Sequence, residues 1–230
     1  MSSVSTLLID NNPDLKSLPP EVCNLTNLTT LGFSGNSLRS PGMELCNKGV
    51  KAVLAYLACL LKAVTSKHLI VSSQGMSEFA VDLAARPTVT AINVANNYLD
   101  GLHHAFFILL NMTHLDISYN RIKSIPGQIG NLRELVWFNA DGNILAALPS
   151  SLAYIQGIEY ISACENSIGE IPEEFRELTT LHTLSLSSNR ISTLRGDLSD
   201  ASSLTVLNIS NNSIAQLPVR WLPISKMLHP

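Results

Sequence analysis

Charge is what this chain of 230 residues has least of: 14% of its residues are charged, against about 25% in an ordinary globular domain. With 15 basic residues against 18 acidic, it has no Lys/Arg run and no electrostatic footprint for nucleic acid. Cysteines number four. Cys23, Cys46, Cys59 and Cys164 form no CxxC pair and keep no zinc spacing with histidine. The opening "MSSVSTLLIDNN" has no basic region and no long apolar region, so no signal peptide is expected. Free thiols in a reducing, cytoplasmic compartment follow as expectations. Uncharged apolar stretches are short as well. The longest, Ala52 to Leu61, has ten residues, half of the roughly 20 that a spanning helix needs. The 46% apolar content excludes a disordered chain.

What is present is a repeat. In "MTHLDISYNRI", residues 112 to 122, apolar residues hold positions 1, 4, 6 and 11, and Asn120 holds position 9. The same frame fits "LVWFNADGNIL", "IEYISACENSI", "LHTLSLSSNRI" and "LTVLNISNNSI" downstream, and "VTAINVANNYL" and "LTTLGFSGNSL" upstream. Asn97, Asn120, Asn143, Asn166, Asn189 and Asn212 stand 23 residues apart. Upstream, Gln74 holds the asparagine position, followed by Asn36 and then Asn12, which gives nine repeats over residues 1–230. This is the L-x-x-L-x-L-x-x-N-x-L pattern of a leucine-rich repeat, and it predicts an α/β solenoid. Positions 3 to 5 form a short strand, the strands stack in parallel on a concave face, and the apolar positions share one core. The asparagines form a ladder that satisfies backbone groups where the chain leaves each strand. The second half of each repeat, as in "KSIPGQIGNL", "AALPSSLAYI" and "GEIPEEFREL", returns on the convex side as a short helix or 3₁₀ turn. It buries pairs such as Ile129 with Leu132 and Phe175 with Leu178.

The spacing breaks once. From Asn36 to Gln74 is 38 residues, one repeat plus 15. Residues 43–64 fill the excess. Leu45, Cys46, Val50, Val53, Leu54, Leu57, Leu60, Leu61 and Val64 recur at helical spacing, so an amphipathic helical insert is expected in the second repeat. It either braces the solenoid or offers a face to a partner. The block "GNSLRSPGMELCNKGVKAVLAYL" is similar to a helix insert in the leucine-rich repeat-containing protein 40 family. "LIVSSQGMSEF" resembles the degenerate repeat that restarts the array there. The repeats resemble the wider Ras-suppressor and Scribble-type intracellular class. Two departures from that family imply a truncated member: only two repeats precede the insert, and "PVRWLPISKMLHP" is unlike a cap.

Solenoids of this kind bind through the concave face, whose outward positions are 2, 3, 5, 7 and 8. Position 3 brings His114, Trp137 and Tyr160 side by side. Around them stand Asp116 and Asn139 at position 5, Asp141 at position 7, Tyr119 and Glu165 at position 8, and Glu159 at position 2. Aromatic residues are enriched in interface hot spots, and the carboxylates favour a protein partner with a basic surface. The competing reading is that the aromatics only pack across strands. His114, Asp116 and Asp141 invite a metal or acid–base reading, but a row of open strands lacks the enclosed site that such chemistry needs. His103 and His104 fall in an outer half. No nucleophile or phosphate-binding motif occurs, so no catalysis, cofactor or metal is expected. The expectation is a non-catalytic protein-interaction module, a scaffold or signalling adaptor. The alternatives are the recognition arm of a larger enzyme and an incomplete fragment. Val4, Leu7 and Ile9 in the first repeat lack a polar cap, which predicts self-association through the ends.

Overall fold

A computed structural model describes residues 3–79, 86–194, 198 and 201–217. Nine three-residue strands occur among them: β1 (Thr6–Leu8), β2 (Thr30–Gly32), β3 (His68–Ile70), β4 (Ala91–Asn93), β5 (His114–Asp116), β6 (Trp137–Asn139), β7 (Tyr160–Ser162), β8 (Thr183–Ser185) and β9 (Val206–Asn208). All pairings are parallel and in register, position for position, as in Leu115 with Phe138 and Phe138 with Ile161. Strand alternation explains the pattern. The central residue of each strand points inward, and Leu69, Ile92, Leu115, Phe138, Ile161 and Leu184 are buried.

The outer halves carry five-residue 3₁₀ helices at Pro20–Asn24, His104–Ile108, Gly127–Asn131, Ser150–Tyr154 and Glu173–Glu177. Proline precedes the first helical residue in four of these, at Pro19, Pro126, Pro149 and Pro172. Its fixed φ near −65° suits the entry, and its missing N–H costs nothing there. Ile129, Leu152 and Phe175 drop from these turns into the core. Strands on one face and 3₁₀ turns on the other make an α/β leucine-rich-repeat solenoid.

The asparagine ladder runs through the interior repeats. Asn120 donates from Nδ2 to the carbonyls of Val94, Ile117 and Ser118 and accepts the Leu99 N–H at 3.0 Å on Oδ1. Asn143 repeats the scheme one turn on, with the carbonyls of Ile117, Ala140 and Asp141 and the N–H of Ile122. Two expected members depart from it. Asn12 is exposed and its side chain donates only within its own repeat, to the Ile9 and Asp10 carbonyls. The Gln74 side chain reaches only the Ser72 carbonyl, at 3.5 Å, and the segment before its repeat is the helical insert rather than a regular repeat.

The strand stack is not continuous. β1 and β2 form one sheet and β3 to β9 another, although a single buried apolar cluster runs beneath both. Two helices lie between them, α1 (Met43–Asn47) and α2 (Val50–Ser66), where the sequence suggested one helix over 43–64. Gly49, at φ 93°, makes the break. The buried stripe of α2 is Val53, Tyr56, Leu57, Leu60 and Ala63. Val64 is 60% exposed, because the smaller Ala63 takes the inward position. Polar groups dock α1 to the third repeat. Glu44 Oε2 accepts from the Ser77 N–H and Oγ, and Lys48 Nζ donates to the Gln74 and Gly75 carbonyls. No helix among the described residues is long and apolar enough to cross a membrane. The tail "PVRWLPISKMLHP" lies outside the described residues.

Candidate functional site

β5, β6 and β7 set the candidate face. Their register places His114 opposite Trp137 and Trp137 opposite Tyr160. The Trp137 and Tyr160 rings stack at 5.3 Å between centroids, 8° from parallel. His114 extends the row at 6.3 Å and 26°, and its Nδ1 lies 2.9 Å from Thr113 Oγ1. The neighbours of the row at position 3 are Ala91 and Thr183, both small, so the two ends of the stack are open. His114 is exposed, and Trp137 and Tyr160 are half-buried.

The carboxylates divide into two kinds. Asp116 is occupied on both oxygens: Oδ2 accepts from Asn93 Nδ2, and Oδ1 accepts from the Ser118 N–H and Oγ. Asp141 Oδ1 accepts from Ser162 Oγ and the Cys164 N–H, each at 2.6 Å. Asn139 turns its Oδ1 to the Asp141 N–H. These three side chains therefore fasten the strand ends, and their role is first internal. Glu159 and Glu165 are exposed, and neither carboxylate holds a hydrogen bond or an ion pair among the described residues.

Position 8 carries a feature that the periodicity did not reveal. It is left-handed in every repeat, at Asn11, Gly35, Ser73, Asn96, Tyr119, Gly142, Glu165, Ser188 and Asn211. Asparagine, glycine and serine suit that turn, whereas a bulky side chain there is strained. Tyr119 (φ 51°) and Glu165 (φ 54°) are the two misfits. Between them, Gly142 (φ 61°) makes room, and a Cβ at that position would overlap the Tyr119 ring. The Glu165 carboxylate pushes the Tyr119 phenol above its ordinary value, aided by partial burial and then by Asp141 and Cys164. Comparing position 8 between repeats would have flagged both residues.

No three His, Cys, Asp or Glu among the described residues are grouped to hold a metal ion. His103 and His104 are exposed, with rings 4.0 Å apart, and His103 caps its own 3₁₀ turn through the Ala105 N–H. A cleft of roughly 860 Å³ lies elsewhere, between α1 and the outer loops, lined by Arg39, Glu44, Phe79, Asp100 and His103 among others.

The sequence model of the family described as leucine rich repeat matches residues 87–145 and 156–218, together more than half of the chain. The adenylate cyclase of Schizosaccharomyces pombe is 38% identical over 61 residues, which are 26% of this chain and 4% of that one. Among solved structures, an LRR protein of Leptospira interrogans is similar with a TM-score of 0.60 at 20% identity, over 96% of this chain and 58% of that one. An internalin of Listeria monocytogenes is similar with a TM-score of 0.63 at 18% identity, over 98% and 60%. The ectodomain of the Arabidopsis thaliana receptor kinase GASSHO1, solved with Casparian strip integrity factor 2, gives 0.54 at 20% identity, over 90% and 21%. At these identities the structures establish the fold alone. The chain spans about three fifths or less of each of these proteins.

Proposed function

The chain belongs to the leucine-rich repeat family, and on that premise we propose that it is a non-catalytic protein-recognition module. Its binding surface is the concave face of repeats five to seven. The observation that carries this reading is the open aromatic row of His114, Trp137 and Tyr160, stacked across three adjacent strands. Stacked aromatics buried against one another would serve packing alone. These stand on the outward side of the sheet, and both ends of the stack are free. In this reading the nine repeats form one domain over 1–230, with the helical insert bracing the break between the two sheets. The partner is a protein with a basic surface, and the module works as a scaffold or signalling adaptor in the cytoplasm. The insert motif supports kinship with the leucine-rich repeat-containing protein 40 family.

A second reading has its own observation. The stretch shared with adenylate cyclase is a small part of that larger enzyme, so the repeats here would act as the recognition arm of a larger protein.

The test compares partner capture by the parent with capture by a Trp137→Ala, Tyr160→Ala variant of unchanged thermal stability. Loss of the same partner from the variant is expected. Retention of every partner would move the site away from the concave face, with the exposed side of α2 next in line.

A further inference from the structure

From the fourth repeat onward the concave face is charged with one sign only. At its outward positions repeats four to nine carry Asp116, Asp141, Glu159 and Glu165 and no lysine or arginine, although the chain has 15 basic residues. Asp116 is spent on internal hydrogen bonds, and so is one oxygen of Asp141. Glu165 is exposed and unpaired, and it stands at the same rim as Tyr119, one repeat beyond Gly142. Tyr119 and Glu165 both hold a left-handed backbone that all seven of the other repeats give to Asn, Gly or Ser. Such strain persists where the side chain itself is used. Gly142 completes the arrangement, since any side chain there would displace the tyrosine ring. Tyr119 is 54% exposed, which leaves its side chain accessible to a partner. The same rim already shows how a cation meets such a ring, with the Arg121 guanidinium 4.6 Å from the centroid of Tyr98.

Resting on the concave-face reading above, we propose that Tyr119 and Glu165 seat a lysine or arginine side chain of the partner, presented by an extended segment that crosses the Trp137–Tyr160 stack. The ring faces the cation through its quadrupole, and the Glu165 carboxylate neutralises it. Trp137 and Tyr160 supply apolar area beside it, and Glu159, at the opposite end of β7, takes a second basic residue. The occupant is a basic peptide segment, because a cationic face would be needed for nucleic acid or an anionic membrane.

The full chain is used to select from a random dodecapeptide display library. Enriched peptides are then titrated against the parent, Glu165→Gln, Tyr119→Asn, Trp137→Ala and, as a control on the outer side, Glu174→Gln. Enrichment of Lys or Arg beside an apolar residue is expected. Affinity should fall about tenfold in Glu165→Gln, as expected for a lost charge-assisted contact, and stay unchanged in Glu174→Gln. Tyr119→Asn should weaken binding while raising Tm by about 2–4 °C through relief of the left-handed strain. A purely structural tyrosine would not separate the two readouts. Peptides that need Trp137 but lack basic residues, or that ignore Glu165→Gln, overturn this inference and leave the concave-face reading standing. Peptides indifferent to Trp137→Ala overturn both. A selection that yields no binding peptide overturns this inference.

Discussion

Replacing Asn120 by alanine isolates what the ladder contributes. Four hydrogen bonds disappear, but their loss is unequal. The Val94 carbonyl keeps a bond from Asn97, the Ile117 carbonyl keeps one from Asn143, and the Ser118 carbonyl keeps the Asn96 N–H. The Leu99 N–H keeps nothing, because Asn120 Oδ1 is its acceptor, and Leu99 is itself buried. An orphaned buried donor costs about 1–3 kcal/mol. With three weakened acceptors added, the total comes to about 2–4 kcal/mol. Asn120→Asp would keep the acceptor but set a carboxylate against three carbonyl oxygens, so it should cost no less. Asn12 is the control, being exposed and with a side chain bonded only within its own repeat, while its backbone N–H, which donates to Asn36 Oδ1, survives the substitution. Asn12→Ala should cost no more than about 0.5 kcal/mol, the range of surface substitutions. Urea unfolding followed by circular dichroism gives both values, provided the slope m is unchanged. If the two variants fell within about 0.5 kcal/mol of each other, the idea that buried donors make the ladder stabilising would be wrong.

Other consequences are as direct. Phe138→Ala, at a site with no solvent exposure, should cost about 3–5 kcal/mol in the same assay, and a smaller loss would mean that the core collapses into the gap. Glu44→Ala removes the acceptor for the Ser77 N–H and Oγ, so hydrogen exchange should speed up in α1 and around Ser77 while β6 and β7 keep their protection. Burial pushes the Cys46 thiol up to about 11. Between pH about 9 and 11 the unfolded state therefore loses this proton while the folded state keeps it, and stability falls as pH rises. Cys46→Ala should flatten that alkaline slope, and an unchanged slope would place its origin elsewhere.

The 23-residue spacing made the solenoid legible because each repeat needs the same residues inward. Strand positions such as His114–Asp116 and Trp137–Asn139 follow from it directly, and so does the juxtaposition of His114, Trp137 and Tyr160. Three features were hidden for physical reasons. The division of the sheet at the insert depends on how α2 docks between the 3₁₀ turn at Pro20–Asn24 and β3, which no periodicity encodes. The engagement of Asp116 and Asp141 depends on neighbours one repeat away in space, Asn93, Ser162 and Cys164, whose donors carry no sequence pattern. The strain at Tyr119 and Glu165 was in view only as two unusual letters at a position where Asn, Gly or Ser otherwise stands. Its meaning came from the left-handed backbone that all nine repeats share there.

Hydroxyl-radical footprinting of the chain with a captured partner bound tests the concave assignment most directly. Tyr154, 65% exposed on the outer side, serves as the internal reference. Protection of Trp137, Tyr160 and Tyr119 with Tyr154 unchanged is the result predicted here. Protection of Tyr154, or of Met43 in the insert, with Trp137 and Tyr160 oxidised as in the free chain would contradict it.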